Sequence, residues 1–248
     1  MVVRMKKFLV FLALVALVAP VSAQVAASSQ PQVVGMGVSN PKTDHLSAFS
    51  KLEIDGPMRV TLKRATTAEE IKIVYDTKGD VASKFKAEID KYGVLRISER
   101  EDPKRLSVTE VTLYHSALTS VKIVRAQAVF ESRLAASVFD IYISGGATVS
   151  MDVEALDVYV SCTGKSSLML SGVTRYLTMD ISTAKVEAFK LDAVSTIVDA
   201  SHNAEVRVVA SERIEATTAT SASVLYKGKP TIVRNHTQLF GGDIVAVD

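Results

Sequence analysis

A chain of 248 residues that is 48% hydrophobic can bury a sizeable core, which excludes wholesale disorder. Aromatic residues make up 6% and Trp is missing, so small and β-branched side chains must fill that core, a composition suited to thin stacked strands. The formal charge of +2 includes Arg4, Lys6 and Lys7; without them it is 2 − 3 = −1, which gives no electrostatic reason for a nucleic acid or an anionic membrane as partner.

Those three cations precede an apolar run from Phe8 to Ala19, followed by Val21-Ser22-Ala23, small residues placed as a signal peptidase reads them. The run is shorter than the ~20 apolar residues that span a bilayer. The expectation is a signal peptide over 1–23, with an uncleaved anchor as the alternative. Cleavage would leave no integral membrane span and an exported protein, periplasmic, on the outer-membrane surface or extracellular. Residues 24–45 hold Ser, Gln, Gly, Pro and Asn without periodicity and read as a flexible leader; residues 46–248 read as one domain. The single cysteine, Cys162, cannot form an internal disulfide and reads as a small core or corner residue.

The first half of the domain alternates as hairpins do. Leu52 and Ile54, then Met58, Val60 and Leu62, flank Gly56-Pro57, which predicts a turn between paired strands; Ile71 and Ile73 keep the period of two. Val81, Phe85 and Ile89 fit a helix face, whereas Phe85, Ala87, Ile89, Leu95 and Ile97 alternate. A hairpin about Asp90–Gly93 after a short helical turn is the preferred reading. Val108, Val111, Leu113, Leu118, Val121 and Ile123 then predict strand, corner, strand.

From there the chain repeats itself. Strand-like runs end in Ser at "FDIYIS" (139–144), "LDVYVS" (156–161), "LTMDIS" (177–182) and "TIVDAS" (196–201), with Ser-to-Ser steps of 17, 21 and 19 by subtraction. Each leads through a small polar corner into a second apolar start: Val149, Leu168, Val186, Val206 and, in a degenerate fifth unit, Val224. Ser144, Gly145, Gly146, Ser161, Gly164, Ser182, Ser201 and Gly228 are the expected corner residues. Stacked one strand spacing apart, ~4.8 Å, such units bury one continuous apolar column. The expectation is an all-β protein, a β-solenoid with N-terminal hairpins and a final strand, "FGGDIVAV", that covers the open end. An antiparallel sandwich is the alternative, but its loops do not keep one phase over four units.

Little in the chain looks catalytic. Asp140, Asp157, Asp180 and Asp199 stand four, four, two and two residues before their Ser, so they fall on at least two strand positions and read as a solvated face rather than a calcium or acid–base row. His45, His115, His202 and His236 lack the spacing of a zinc site; His115 reads as a surface or corner residue. No cofactor, metal or catalytic residue is expected. Tyr226, Lys227 and Lys229 form a candidate sugar-facing patch.

"FSKLEIDGPMRVTLKR", "YGVLRIS", the Ser/Gly corners and "VLYKGKPTI" together resemble the putative auto-transporter adhesin, head GIN domain family (domain of unknown function 2807), over about residues 46 to 245. That resemblance implies a secreted or envelope-exposed β-solenoid, pectin-lyase-like in shape, with adhesion as its role. Only "SGGAT" comes near the family's Ser-Gly corners; the other corners use Ala, Thr, Lys, His and Asn. The expected function is non-catalytic binding of an extracellular glycan or protein. A polysaccharide-cleaving enzyme and a self-associating structural part of the envelope are the alternatives.

Overall fold

In the computed structural model, residues 39–78, 84–102, 105, 107–238 and 240–248 are described. The proposed signal peptide and most of the leader lie outside them, as does nearly all of the helical turn expected before the Asp90–Gly93 hairpin. The leader's last residues are not loose. Lys42–His45 form strand β1, which pairs antiparallel with β4 (Lys72–Asp76). Between them come β2 (Lys51–Asp55), β3 (Met58–Arg64) and one 3-10 turn, Ala68–Glu70. Next are β5 (Phe85–Ile89), β6 (Val94–Glu99), β7 (Thr109–His115), β8 (Ser120–Val124) and β9 (Gln127–Phe130).

Four long strands follow: β10 (Leu134–Ser144), β11 (Thr148–Thr163), β12 (Ser167–Ser182) and β13 (Lys185–Ser201). They run through a bend without leaving the ladder. The chain closes with β14 (Glu205–Val209), β15 (Arg213–Thr218), β16 (Ser223–Lys227), β17 (Ile232–Thr237) and β18 (Ile244–Ala246). Apart from β1, β4 and β5, every strand pairs parallel with its counterpart one coil away, as a solenoid requires.

Two faces carry the register. On the first, β6, β2, β8, the C-terminal parts of β10 to β13, β15 and β17 follow one another. On the second, β7, β3, β9, the starts of β11 to β13, β14, β16 and β18 do the same. The second face places Val111, Val60, Ala128, Val149, Leu168, Val186, Val206, Val224 and Ile244 in one column, each the register partner of the next. All but Ile244 are buried. A second column, of small residues just past each corner, runs beside it: Ala126, Ala147, Ser166, Ala184, Ala204 and Ala222, all buried. Their carbonyls accept from the next coil, for example Ser167 N to Ala147 O at 2.9 Å and Glu205 N to Ala184 O at 3.0 Å.

The N-terminal part departs from simple hairpins. β2 and β3 do not pair with each other; each lies between two parallel partners, β6 and β8 for β2, β7 and β9 for β3. Gly56-Pro57 is therefore a coil corner. Local alternation cannot distinguish the two cases, because inward residues alternate in both. The chain starts in one coil, builds the next outward with β6 and β7, then returns to the other side with β8 and β9. The β5–β6 hairpin forms as expected, antiparallel about Asp90–Gly93. With β4 it closes this end of the core: Tyr75 and Phe85 stack with ring centroids 4.4 Å apart. At the other end β17 and β18 complete the last coil as further rungs rather than as a strand laid across it.

His115 is buried, not a surface residue: it ends β7 with its ring edge-on to Phe130. Nδ1 donates to the Ser116 carbonyl at 2.8 Å, and Nε2 has no partner. Burial, helped by the nearby Arg64, holds the imidazole below its ordinary value of 6.5, so the folded protein prefers it neutral. The unfolded chain takes up that proton more readily. Stability is thus full above about pH 6.5 and falls as the pH drops. Urea unfolding between about pH 8 and pH 5.5 should show this loss, and His115→Leu should flatten it; an unchanged slope in the variant would assign the effect elsewhere.

Candidate binding face

Strand alternation sends every second residue of the first face to solvent, in files parallel to the solenoid axis. The central file holds Arg96, Glu53, Lys122, Tyr142, Ser161, Asp180, Asp199, Thr217 and His236 in successive register. Next to it, at the corners, lie Ser144, Thr163, Ser182 and Ser201. On its other side Asp140 pairs with Tyr159, and beyond that Asp157 pairs with Tyr176.

This register corrects the repeat. Ser161 is the counterpart of Tyr142 and Asp180, not of the corner serines; Thr163 is the corner hydroxyl of its coil, opposite Ser182. The hydroxyls at 144, 163, 182 and 201 then stand a constant 19 residues apart. Gly145, Gly146 and Gly164 turn the corners with positive φ, but so do Lys165, Thr183, His202, Asn203, Thr220 and Ser221. Gly228 shapes a different bend, after β16, where its φ is +112. Of the four aspartates, only Asp180 and Asp199 share a file.

A 19-residue coil explains the feature that inspection by coil misses. Tyr142, Tyr159 and Tyr176 are 17 residues apart, so each stands one coil up and two residues back from the last. They form a diagonal ramp across the face. Tyr142 and Tyr176 are 39% and 45% exposed, and the Tyr142 and Tyr159 rings lie 5.8 Å apart. The available signal was the pair "DIY" and "DVY" at the same spacing of 17. Tyr159 donates to Asp180 Oδ2 at 2.5 Å, and that bond to a carboxylate pushes its hydroxyl up to about 12. Beside the ramp an open groove of about 460 Å³ is lined by Ser161, Thr163, Asp180, Ser182, Asp199 and Ser201, among others.

The other expected patch does not assemble. Tyr226 is buried, because it alternates inward with Val224 on β16; Lys227 points outward with its ammonium over the Phe189 ring at 5.1 Å, and Lys229 is exposed in the turn. Phe189 reaches the surface at a bulge, where β13 holds one residue more than β12 between Met169 and Ser171. Cys162 is a core residue of the first face, and burial pushes its thiol up to about 12, the state of an inert side chain. Among the described residues no group of three or more His, Cys, Asp or Glu is arranged to hold a metal ion, and no helix is long and apolar enough to cross a membrane.

Solved structures share this architecture. A putative adhesin from Bacteroides fragilis superposes with a TM-score of 0.76 at 16% identity, covering 84% of this chain and 97% of that one. A putative adhesin from Parabacteroides merdae gives 0.65 at 14%, covering 85% and 98%, and a putative lipid binding protein from Parabacteroides distasonis gives 0.66 at 15%, covering 86% and 98%. At such identities the likeness is one of fold. No curated protein matches the sequence. The family model for the putative auto-transporter adhesin, head GIN domain, matches residues 48–230, and the chain belongs to that family.

Proposed function

We propose that the protein is an exported, non-catalytic binding or adhesion module that holds an extended glycan along the tyrosine ramp of its first face. The observation that carries this reading is the ramp itself: three tyrosines on rigid strands, two of them well exposed, beside a groove edged with hydroxyls and carboxylates. Aromatic faces cover the apolar side of a pyranose, and the polar edge groups exchange hydrogen bonds with its hydroxyls. Strands hold these groups with little loss of side-chain freedom on binding. Cleavage of an acidic polysaccharide would ask for a Lys or Arg beside converging carboxylates, and among the described residues none lines this groove.

A glycan array at micromolar protein tests the reading, followed by calorimetry on the best ligand. Tyr159→Ala should weaken binding about tenfold or more, as loss of a central aromatic contact does, while Met169→Ala on the second face leaves it unchanged. Circular dichroism would verify that both variants stay folded. Binding that survives removal of all three tyrosines would place the ligand elsewhere. A protein that binds no glycan would point to a protein ligand or a structural role.

A further inference from the structure

We infer that the glycan this face selects is an amine-bearing one, a polymer of amino sugars with free ammonium groups; the inference rests on the ramp being the binding site. The tyrosines define the site, and the charges around them define what it accepts. Asp140 lies in register beside Tyr159, Asp157 beside Tyr176, Asp180 accepts the Tyr159 hydroxyl, and Asp199 is one rung further. Among the described residues none of these four carboxylates has an ion-pair partner. Asp180 and Asp199 stand as direct neighbours in a parallel ladder, an arrangement that is unfavourable without a counter-charge.

The rest of the solenoid shows that its geometry readily supplies counter-charges. On the second face Lys185 pairs with Glu205 at 3.1 Å, and Arg207 with Glu187 at 2.9 Å, each from the adjoining coil. Just before β10, Arg133 pairs with Asp152 of β11 at 2.5 Å. On the first face the cations border the strip: Lys122 adjoins Tyr142 below, Arg175 caps the far end of the ramp over the Tyr176 ring at 5.7 Å, and Arg213 and Arg234 are both bound to Glu215 above. Between them lies a strip of aromatic rings and unpaired carboxylates. Ring faces attract ammonium groups as well as sugar faces, so both components favour the same ligand. A polyuronate meets the same carboxylates as repulsion.

Calorimetry with the protein and three hexasaccharides tests this: glucosamine, N-acetylglucosamine and galacturonic acid oligomers, in chelator-containing buffer at about pH 6, below the range of an α-amino ammonium. The glucosamine hexamer should bind about tenfold tighter than its acetylated counterpart, the sum of several exposed charge contacts, and added salt should narrow that gap. The galacturonic acid hexamer should not bind. Asp180→Asn combined with Asp199→Asn should bring the affinity ratio of the free to the acetylated hexamer most of the way to one; a ratio that stays near tenfold would overturn the role of these carboxylates. Equal affinity for the free and acetylated amines, or binding of the acidic hexamer, would overturn the amine preference and leave the binding-face reading standing. No binding of any hexamer would overturn both.

Discussion

Gly172→Ala is expected to destabilise the protein by at least about 3 kcal/mol, the sum of backbone strain and overpacking at one position. Gly172 sits where β12 bends, at φ +115, a conformation open to glycine and strained for any residue with a side chain. A Cβ there would stand 1.9 Å from the Val153 carbonyl oxygen and 2.9 Å from the Val153 nitrogen, both backbone atoms of the coil below. Neither can move aside without breaking the Val153↔Gly172 rung. The backbone of the neighbouring coil passes close here, and only a residue without a side chain allows it. Chemical denaturation reads the effect directly, as a lower midpoint at constant slope. A variant within about 0.5 kcal/mol of the parent, the range of ordinary surface substitutions, would mean that the bend is not as close as described.

Leu168→Ala should cost about 2–5 kcal/mol. Leu168 is fully buried between Val149 and Val186, with strand neighbours on both sides, so the vacated space cannot be filled by collapse from one side. Met169, the next residue, points the other way and is 51% exposed; Met169→Ala should fall within about 0.5 kcal/mol of the parent. The contrast between adjacent positions is what the solenoid demands. A one-residue slip of the register would invert it, burying Met169 and exposing Leu168.

The repeat made the solenoid legible because its inward column uses large aliphatic residues at one phase: Val149, Leu168, Val186, Val206 and Val224 announce themselves. The corners were harder. Left-handed geometry is expected of glycine or asparagine, yet here Thr183, Thr220 and Ser221 adopt it as well, held by backbone bonds between successive corners such as Thr183 N to Ser201 O at 3.2 Å. At one corner Thr163 stands where the others have serine, so Ser161 stood in for it, and the true period of 19 was blurred into 17, 21 and 19. That slip also hid the ramp, since a spacing of 17 means a diagonal only against a known period of 19. The placement of β2 and β3 between later strands leaves no local trace at all. His115 and Tyr226 were placed outside for a related reason: polar atoms suggested solvent, whereas strand alternation sends both side chains inward.

The account depends on successive coils standing in register along the first face, and spin-label distances test it most directly. The outward-facing positions Lys122 and Thr217 are five rungs apart in the central file, and so are Tyr142 and His236. Labels attached through introduced cysteines, with the buried Cys162 left unreacted, should give nearly the same distance for both pairs, about 24 Å from five strand spacings of ~4.8 Å. Two clearly different distances would mean that these residues do not share one file, and the tyrosine ramp would dissolve with it.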